Sequence, residues 1–283
     1  MHIRIPRRVS LAVGAFVLLG ATTAPAVALA TDNSHSSANP TIAFVHKGHS
    51  PAPDPVKPTV VLVHGAWADS SSWSPVIERL RKDGYPVRAI ANPLQGLTSD
   101  SDYVSSYLAA IDGPVILVGH SYGGAVITNA AATDPDVRAL VYVAGFIPAK
   151  GETVGNLAEQ TTPSIPLITT PVPGGAEVSI DPAHFRDVFA GDVDPTTAAD
   201  MAVTQRPANT RAVTDASVQE AYTSIPSWDL ITRRDHAIAP DVQRSMAERA
   251  GAHTQEIDAS HAVMVSHPNA VTRIIEDAAR ATR

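Results

Sequence analysis

Val115-Ile116-Leu117-Val118-Gly119-His120-Ser121-Tyr122-Gly123-Gly124 joins four consecutive apolar residues to a G-x-S-x-G turn, and the small-residue run Ala125 to Ala132 follows it. An unbroken apolar run of this kind suits a strand covered on both faces, and the run after the turn suits a helix packed closely on that strand. A serine between strand and helix is driven into a strained backbone conformation that lifts its hydroxyl above the sheet, and the flanking glycines leave room for the bend. The five-residue spacing alone arises easily by chance, because glycine and serine are both abundant. The strand before it and the helix after it make Ser121 the candidate nucleophile.

The same rhythm extends in both directions. Short apolar runs bounded by turn residues predict strands at 59–63, 87–91, 115–118, 139–143, 228–232 and 254–258. Longer segments predict helices at 75–82, 101–111, 123–132, 241–250 and 268–280. In the last of these, Val271, Ile274, Ile275 and Ala278 fall on one helical face, with Ser266 as expected N-cap and Pro268 in the first turn. Strands alternating with helices specify an α/β fold, a mostly parallel central sheet flanked by helices. Residues 146–225 break the rhythm with a proline-rich stretch at 161–175 and short helical patterns around 184–190 and 195–203. An insertion this long between sheet strands is expected to form a helical lid over a site.

A serine hydroxyl needs a base within hydrogen-bond reach and a third group to orient that base. On this fold the order along the chain is serine, acid, histidine, each on a loop at the C-terminal edge of the sheet. After the insertion the histidines are His236, His253, His261 and His267. His261 follows the final strand by the short turn Ala259-Ser260, whereas His253 sits where that strand begins, His267 falls at a helix start and His236 adjoins the expected acid. Among the acids, Asp229 lies inside a strand and Asp258 only three residues before His261, while Asp235 ends the run 228–232 at the edge where the loops converge. His261 is therefore the expected base and Asp235 its partner. The oxyanion formed on attack needs backbone donors already in place. Tyr122 N–H is one; the other comes from the loop His64-Gly65-Ala66-Trp67, from Ala66 or else from Trp67. His64 has no metal-ligand spacing around it and reads as a turn residue.

Taken together, the HGAW loop at His64 to Trp67, the GHSYGG turn at Gly119 to Gly124, Asp235 in RRDHAIAP and the SHAVMVSHP stretch from Ser260 to Pro268 resemble the α/β-hydrolases related to plant methylesterases and hydroxynitrile lyases, with their bacterial counterparts. The resemblance covers about 59–280. It implies the α/β-hydrolase fold with a helical cap, Ser121, Asp235 and His261 as triad, and Ala66 and Tyr122 as oxyanion donors. The implied activity is cleavage of a neutral carboxylic ester, thioester or lactone through an acyl-enzyme on Ser121, with no cofactor and no metal. The lyase branch holds cyanide with a threonine where Gly65 stands and a lysine where Ala262 stands, so this chain departs from it at both positions. Dehalogenases and epoxide hydrolases of the fold use a carboxylate nucleophile, which Ser121 contradicts. A hydroxynitrile-lyase-like enzyme and a ligand-binding receptor are the non-hydrolytic alternatives; a receptor has no need of the complete set of catalytic positions.

Composition bounds the reading. At 283 residues, 44% of them hydrophobic, the chain can bury the core of one large domain, and the absence of cysteine excludes disulfides, thiol catalysis and Cys-based metal sites. The first thirty residues contain three arginines and no acid, so the net charge of -7 leaves -10 on the rest, which disfavours nucleic acid as a partner and strongly anionic substrates. Met1 to Arg8 is basic, Leu11 to Ala21 apolar, and Ala28-Leu29-Ala30 forms an A-x-A site, the pattern of a 1–30 signal peptide and hence of secretion without stable membrane insertion. Arg7-Arg8 leaves the general and twin-arginine routes both open. Residues 31–58, rich in Pro, Ser and Asn, read as a flexible linker, although Thr41 to Val45 has the composition of an added edge strand; 59–283 is the hydrolase-type domain. Cleavage after Ala30 should give a mature chain beginning at Thr31. Intact-mass measurement of exported protein checks this, and residues 1–30 retained in a membrane fraction would establish an anchor instead.

Overall fold

The computed structural model describes residues 57–283. The expected signal peptide and all but the last two residues of the linker, with the 41–45 stretch, lie outside the described residues. The elements run β1 (Thr59–Val63), α1 (Ser74–Lys82), β2 (Val87–Ile90), α2 (Leu97–Leu108), β3 (Val115–His120), α3 (Tyr122–Ala130) and β4 (Val137–Val143). The insertion follows as α4 (Val154–Ala158), β5 (Leu167–Val172), β6 (Gly175–Ile180), α5 (Phe185–Phe189), α6 (Pro195–Val203), β7 (Ala208–Asn209) and α7 (Arg211–Thr214). The chain then returns through β8 (Ser227–Thr232), α8 (Pro240–Arg249), β9 (His253–Ile257), α9 (Val263–Ser266) and α10 (Pro268–Ala281). Among these helices none is long and apolar enough to cross a membrane.

Six strands form one sheet in the order β2-β1-β3-β4-β8-β9, every neighbouring pair parallel. Parallel strands need crossovers, and the helices supplying them cover both faces. Val104 and Leu108 of α2, Val126 and Ile127 of α3, and Val242 and Met246 of α8 pack with Val61, Val63 and Leu117 on one side. On the other, Val76 and Leu80 of α1 and the apolar stripe Val271, Ile274, Ile275 and Ala278 of α10 pack with Val60, Leu62, Ile116 and Val118. Because all six strands point the same way, the loops after β1, β3, β8 and β9 emerge at one edge. These carry His64 to Trp67, Ser121, Asp235 and His261.

The expected strands and helices are all present, with shifts at their ends that have local causes. β3 continues two residues further, to His120, because its pairing with β4 runs on to Val143. α2 begins at Leu97 rather than at 101: Gly96 (φ 150°) turns the chain, and the buried Asp100 carboxylate accepts the Gln95 N–H at 3.1 Å, tying down the start. Ser266 is not the N-cap of α10. The one-turn helix α9 ends on Ser266, and His267 takes the cap position without a side-chain bond. Asp258 lies just past the end of β9 instead of within it. The insertion holds its expected short helices and also a three-stranded antiparallel sheet, order β5-β6-β7, whose first strand comes from the proline-rich stretch and none of whose strands the sequence pattern predicts.

Candidate active site

Ser121 sits between β3 and α3 with φ 53° and ψ -125°, a conformation costly for any residue bearing a Cβ. The neighbours over-determine it. Its N–H donates to Val143 O and Ala144 O, and its C=O accepts the N–H groups of Gly124 (2.9 Å) and Phe146 (3.1 Å). The turn also presses against β1, since a Cβ on Gly123 would lie 2.5 Å from Val63 O. Only glycine permits that approach.

Asp235 and His261 meet across the sheet edge. His261 Nδ1 lies 2.8 Å from Asp235 Oδ2, both side chains buried. The carboxylate has four further donors: Oδ1 accepts Ala237 N–H and Ile238 N–H, each at 2.8 Å, and Oδ2 accepts Thr232 Oγ1–H (2.7 Å) and Gln243 Nε2–H (3.0 Å). A buried carboxylate held this fully cannot rotate, so the imidazole it meets is held through Nδ1. The other ring nitrogen, His261 Nε2, is buried and has no hydrogen-bond partner among the described residues.

The base loop is clamped on three sides. His120 Nε2–H donates to His261 O (3.0 Å), the two rings lying 4.7 Å apart. Burial first, then the neighbouring His261, push the pKa of His120 well below the ordinary histidine value, so it stays a neutral donor. From the cap, Phe189 O accepts Ala262 N–H at 2.8 Å and the Phe189 ring stands edge-on to His261 at 4.7 Å. Asp192, also from the cap, accepts the Ser260 hydroxyl and lies 3.3 Å from His267 Nδ1 and 3.8 Å from Arg234.

The remaining candidates are placed elsewhere. Asp229 is buried inside β8 with neither oxygen bonded to a described residue, and burial pushes its pKa well above the ordinary carboxylate value. Asp258 is exposed and pairs with Arg234 at 3.3 Å. His253 opens β9, exposed; His236 Nδ1 bonds Asp187 O at the surface. His64 is buried, its pKa lowered to about 4 chiefly by desolvation, and its Nε2 accepts Asn92 N–H at 3.0 Å, which makes it the turn residue expected.

Of the two loop donors weighed against each other, Trp67 N–H is spent on Arg206 O at 3.1 Å. Ala66 N–H bonds to no described residue, and Tyr122 N–H, in the first turn of α3, is likewise without an intrahelical acceptor. The loops touch: a Cβ on Gly65 would fall 2.7 Å from Ser121 Cβ and 3.2 Å from Tyr122 N. Ser121, Ala66 and Tyr122 all line one cavity under the insertion. The Tyr122 side chain points elsewhere, its hydroxyl donating to the buried Asp100 at 2.8 Å.

Pattern reading misses Thr232, Gln243, His120 and Asp192. Gln243 left a signal, being a polar residue beside Val242, Met246 and Ala247 on the buried face of α8, where an amide without a partner would be costly. The others left none: Thr232 bonds Asp235 only three residues on but carries no pattern that marks it, and the hydrogen-bond partners of His120 and Asp192 are 141 and 68 residues away. Among the described residues no group of three or more His, Asp or Glu could hold a metal.

Known proteins carry the same architecture. The chain is 25% identical over 248 residues to an α/β hydrolase of Aspergillus novofumigatus, covering 79% of this chain and 97% of that one. It is 34% identical over 116 residues to a carbendazim hydrolyzing esterase of Nocardioides sp., an alignment that covers 36% of this chain and only 48% of that enzyme. The crystal structure of polyneuridine aldehyde esterase superposes with a TM-score of 0.69 over 78% of this chain and 98% of the other, at 19% identity, a likeness of fold. Residues 60–274 match the sequence profile of the α/β hydrolase family. With that profile spanning the parallel sheet, the serine turn and the His261–Asp235 pair, the chain belongs to the α/β hydrolase family.

Proposed function

We propose that the protein is a secreted serine hydrolase of neutral carboxylic esters, acting through an acyl-enzyme on Ser121. The observation that carries this is the state of His261: Nδ1 is fixed on a five-donor carboxylate while Nε2 is buried and without a partner among the described residues, at the same sheet edge as a strained serine. An unsatisfied buried imidazole nitrogen costs stability unless a ligand or a reacting hydroxyl uses it. On this reading Nε2 takes the Ser121 proton as the hydroxyl attacks the ester carbonyl, Asp235 stabilises the resulting imidazolium, and the N–H groups of Ala66 and Tyr122 receive the oxyanion. Collapse returns the proton to the leaving alcohol. Water, activated by the same nitrogen, then releases the acid.

The esterase and hydrolase names among the relatives support esters as the substrate class. The cyanide-lyase alternative meets two obstacles: Ala262 is fully buried beneath Phe189 O, and the space at Gly65 does not admit a side chain. A fluorophosphonate probe should attach to Ser121 of the native protein and to no other residue, as read by peptide mass spectrometry. Attachment elsewhere, or none, would refute the mechanism.

A further inference from the structure

The cavity that holds Ser121, Ala66 and Tyr122 measures about 260 Å³. Its walls are apolar, with Phe146 and Ile238 from the sheet-edge loops and Val154, Ile165, Leu167 and Val178 from the insertion. Of its polar lining groups, Trp67 Nε1–H donates to Val178 O at 3.0 Å and Tyr122 Oη–H to Asp100, while Ser121 and the exposed Ser164 contribute the hydroxyls. Among the described residues its one charged lining residue is Glu159, exposed and acidic, so none of them offers a cation to pair with an anionic group. Neither His261 nor Asp235 lines it.

That last fact orients a substrate. During acyl transfer the base hands its proton to the departing alcohol, so the alcohol oxygen must lie against His261 Nε2. The carbonyl oxygen lies on the Ala66 and Tyr122 N–H groups. A cavity that contains the nucleophile and both oxyanion donors but excludes the base is therefore on the acyl side of the carbonyl carbon. Size follows by proportion: an apolar cavity of about 150 Å³ takes a benzene ring, so 260 Å³ takes about ten non-hydrogen atoms.

We infer that this cavity is the acyl site and selects an uncharged apolar acyl group of about ten heavy atoms, an inference that rests on the ester-hydrolase reading above. Each methylene moved from water into it should raise kcat/KM by up to about fourfold until the cavity is full. Two ester series on the full mature protein test this. In p-nitrophenyl esters from acetyl to hexadecanoyl, kcat/KM should climb, peak at octanoyl to decanoyl, and fall beyond. In octanoate esters from methyl to octyl alcohol there should be no comparable rise.

A decanedioic half-ester, which places a carboxylate against the apolar walls and Glu159, should react at least about tenfold more slowly than the decanoyl ester. Ala158→Leu narrows the cavity from its half-buried wall, and should lower the decanoyl-to-butanoyl ratio by about tenfold or more. An acetyl optimum, a climb along the alcohol series instead, or equal rates for the half-ester would each overturn the inference while leaving the hydrolase reading intact. No turnover in either series, with Ser121 unlabelled by fluorophosphonate, would overturn the hydrolase reading and this inference with it. Because the two series use the wild-type protein, an Ala158→Leu variant that fails to fold does not decide the matter.

Discussion

Ser121→Ala should lower kcat/KM on an ester by about 10⁴- to 10⁶-fold while the protein stays folded. The magnitude comes from how such groups cooperate. Without the hydroxyl, His261 and Asp235 have no proton to move, and what survives is the contribution of the oxyanion donors and of substrate binding. Folding should survive because alanine removes one oxygen from a nearly buried side chain and leaves the backbone contacts of residue 121 to Val143, Ala144, Gly124 and Phe146 in place. The strain at φ 53° is that of any residue with a Cβ and is unchanged. Circular dichroism and the thermal midpoint confirm the fold, and steady-state kinetics on one activated ester give the loss. Turnover within about tenfold of wild type would exclude Ser121 as nucleophile, since no serine triad retains that much without its hydroxyl.

Asp235→Asn should cost about 10⁴-fold in kcat/KM, roughly 5 kcal/mol of transition-state stabilisation, and Asp258→Asn no more than a few-fold. The hydrogen bonds explain the contrast. An asparagine at 235 keeps its carbonyl oxygen on Ala237 N–H and Ile238 N–H, so the loop holds, but its amide N–H₂ then faces His261 Nδ1 where a carboxylate oxygen stood. Nδ1 must now accept, the ring proton moves to Nε2, and the base can no longer take a proton from serine. Asp258 by contrast sits in an exposed pair with Arg234 and touches no candidate catalytic group. The measurement is kcat/KM for both variants on one ester, with circular dichroism as control. A crippled Asp258→Asn beside a near-normal Asp235→Asn would move the acid role to Asp258.

Local pattern carried the element order and the serine turn. Val115 to Val118 is apolar at every position because both faces of β3 are covered, and the stripe Val271, Ile274, Ile275 and Ala278 is one face of α10. These signals are short-range, with periods of two and 3.6 residues, so they survive in a linear reading. The order of serine, acid and histidine is equally local to read, since each falls just beyond a strand whose end the composition marks. Strand β5 escaped because it is exposed almost throughout, leaving no alternation to detect, and Pro171 argues against a strand; β6 buries only Val178 and Ile180, too short a signal to mark a strand.

Residue types and spacing therefore determined by themselves that this chain is a parallel α/β domain with an insertion, with Ser121 on a strained turn and Asp235 and His261 on later loops. Tertiary structure alone decided that Gln243 holds Asp235, because it reaches the carboxylate through the packing of α8 on β8. It also decided between Ala66 and Trp67, since Arg206, 139 residues along the chain from Trp67, takes the Trp67 N–H. The clamp of His120, Phe189 and Asp192 on the base loop belongs to the same class. Hydrogen bonds are directional contacts between atoms a few ångströms apart, and hydrophobic periodicity says which face is buried without saying which distant segment arrives there.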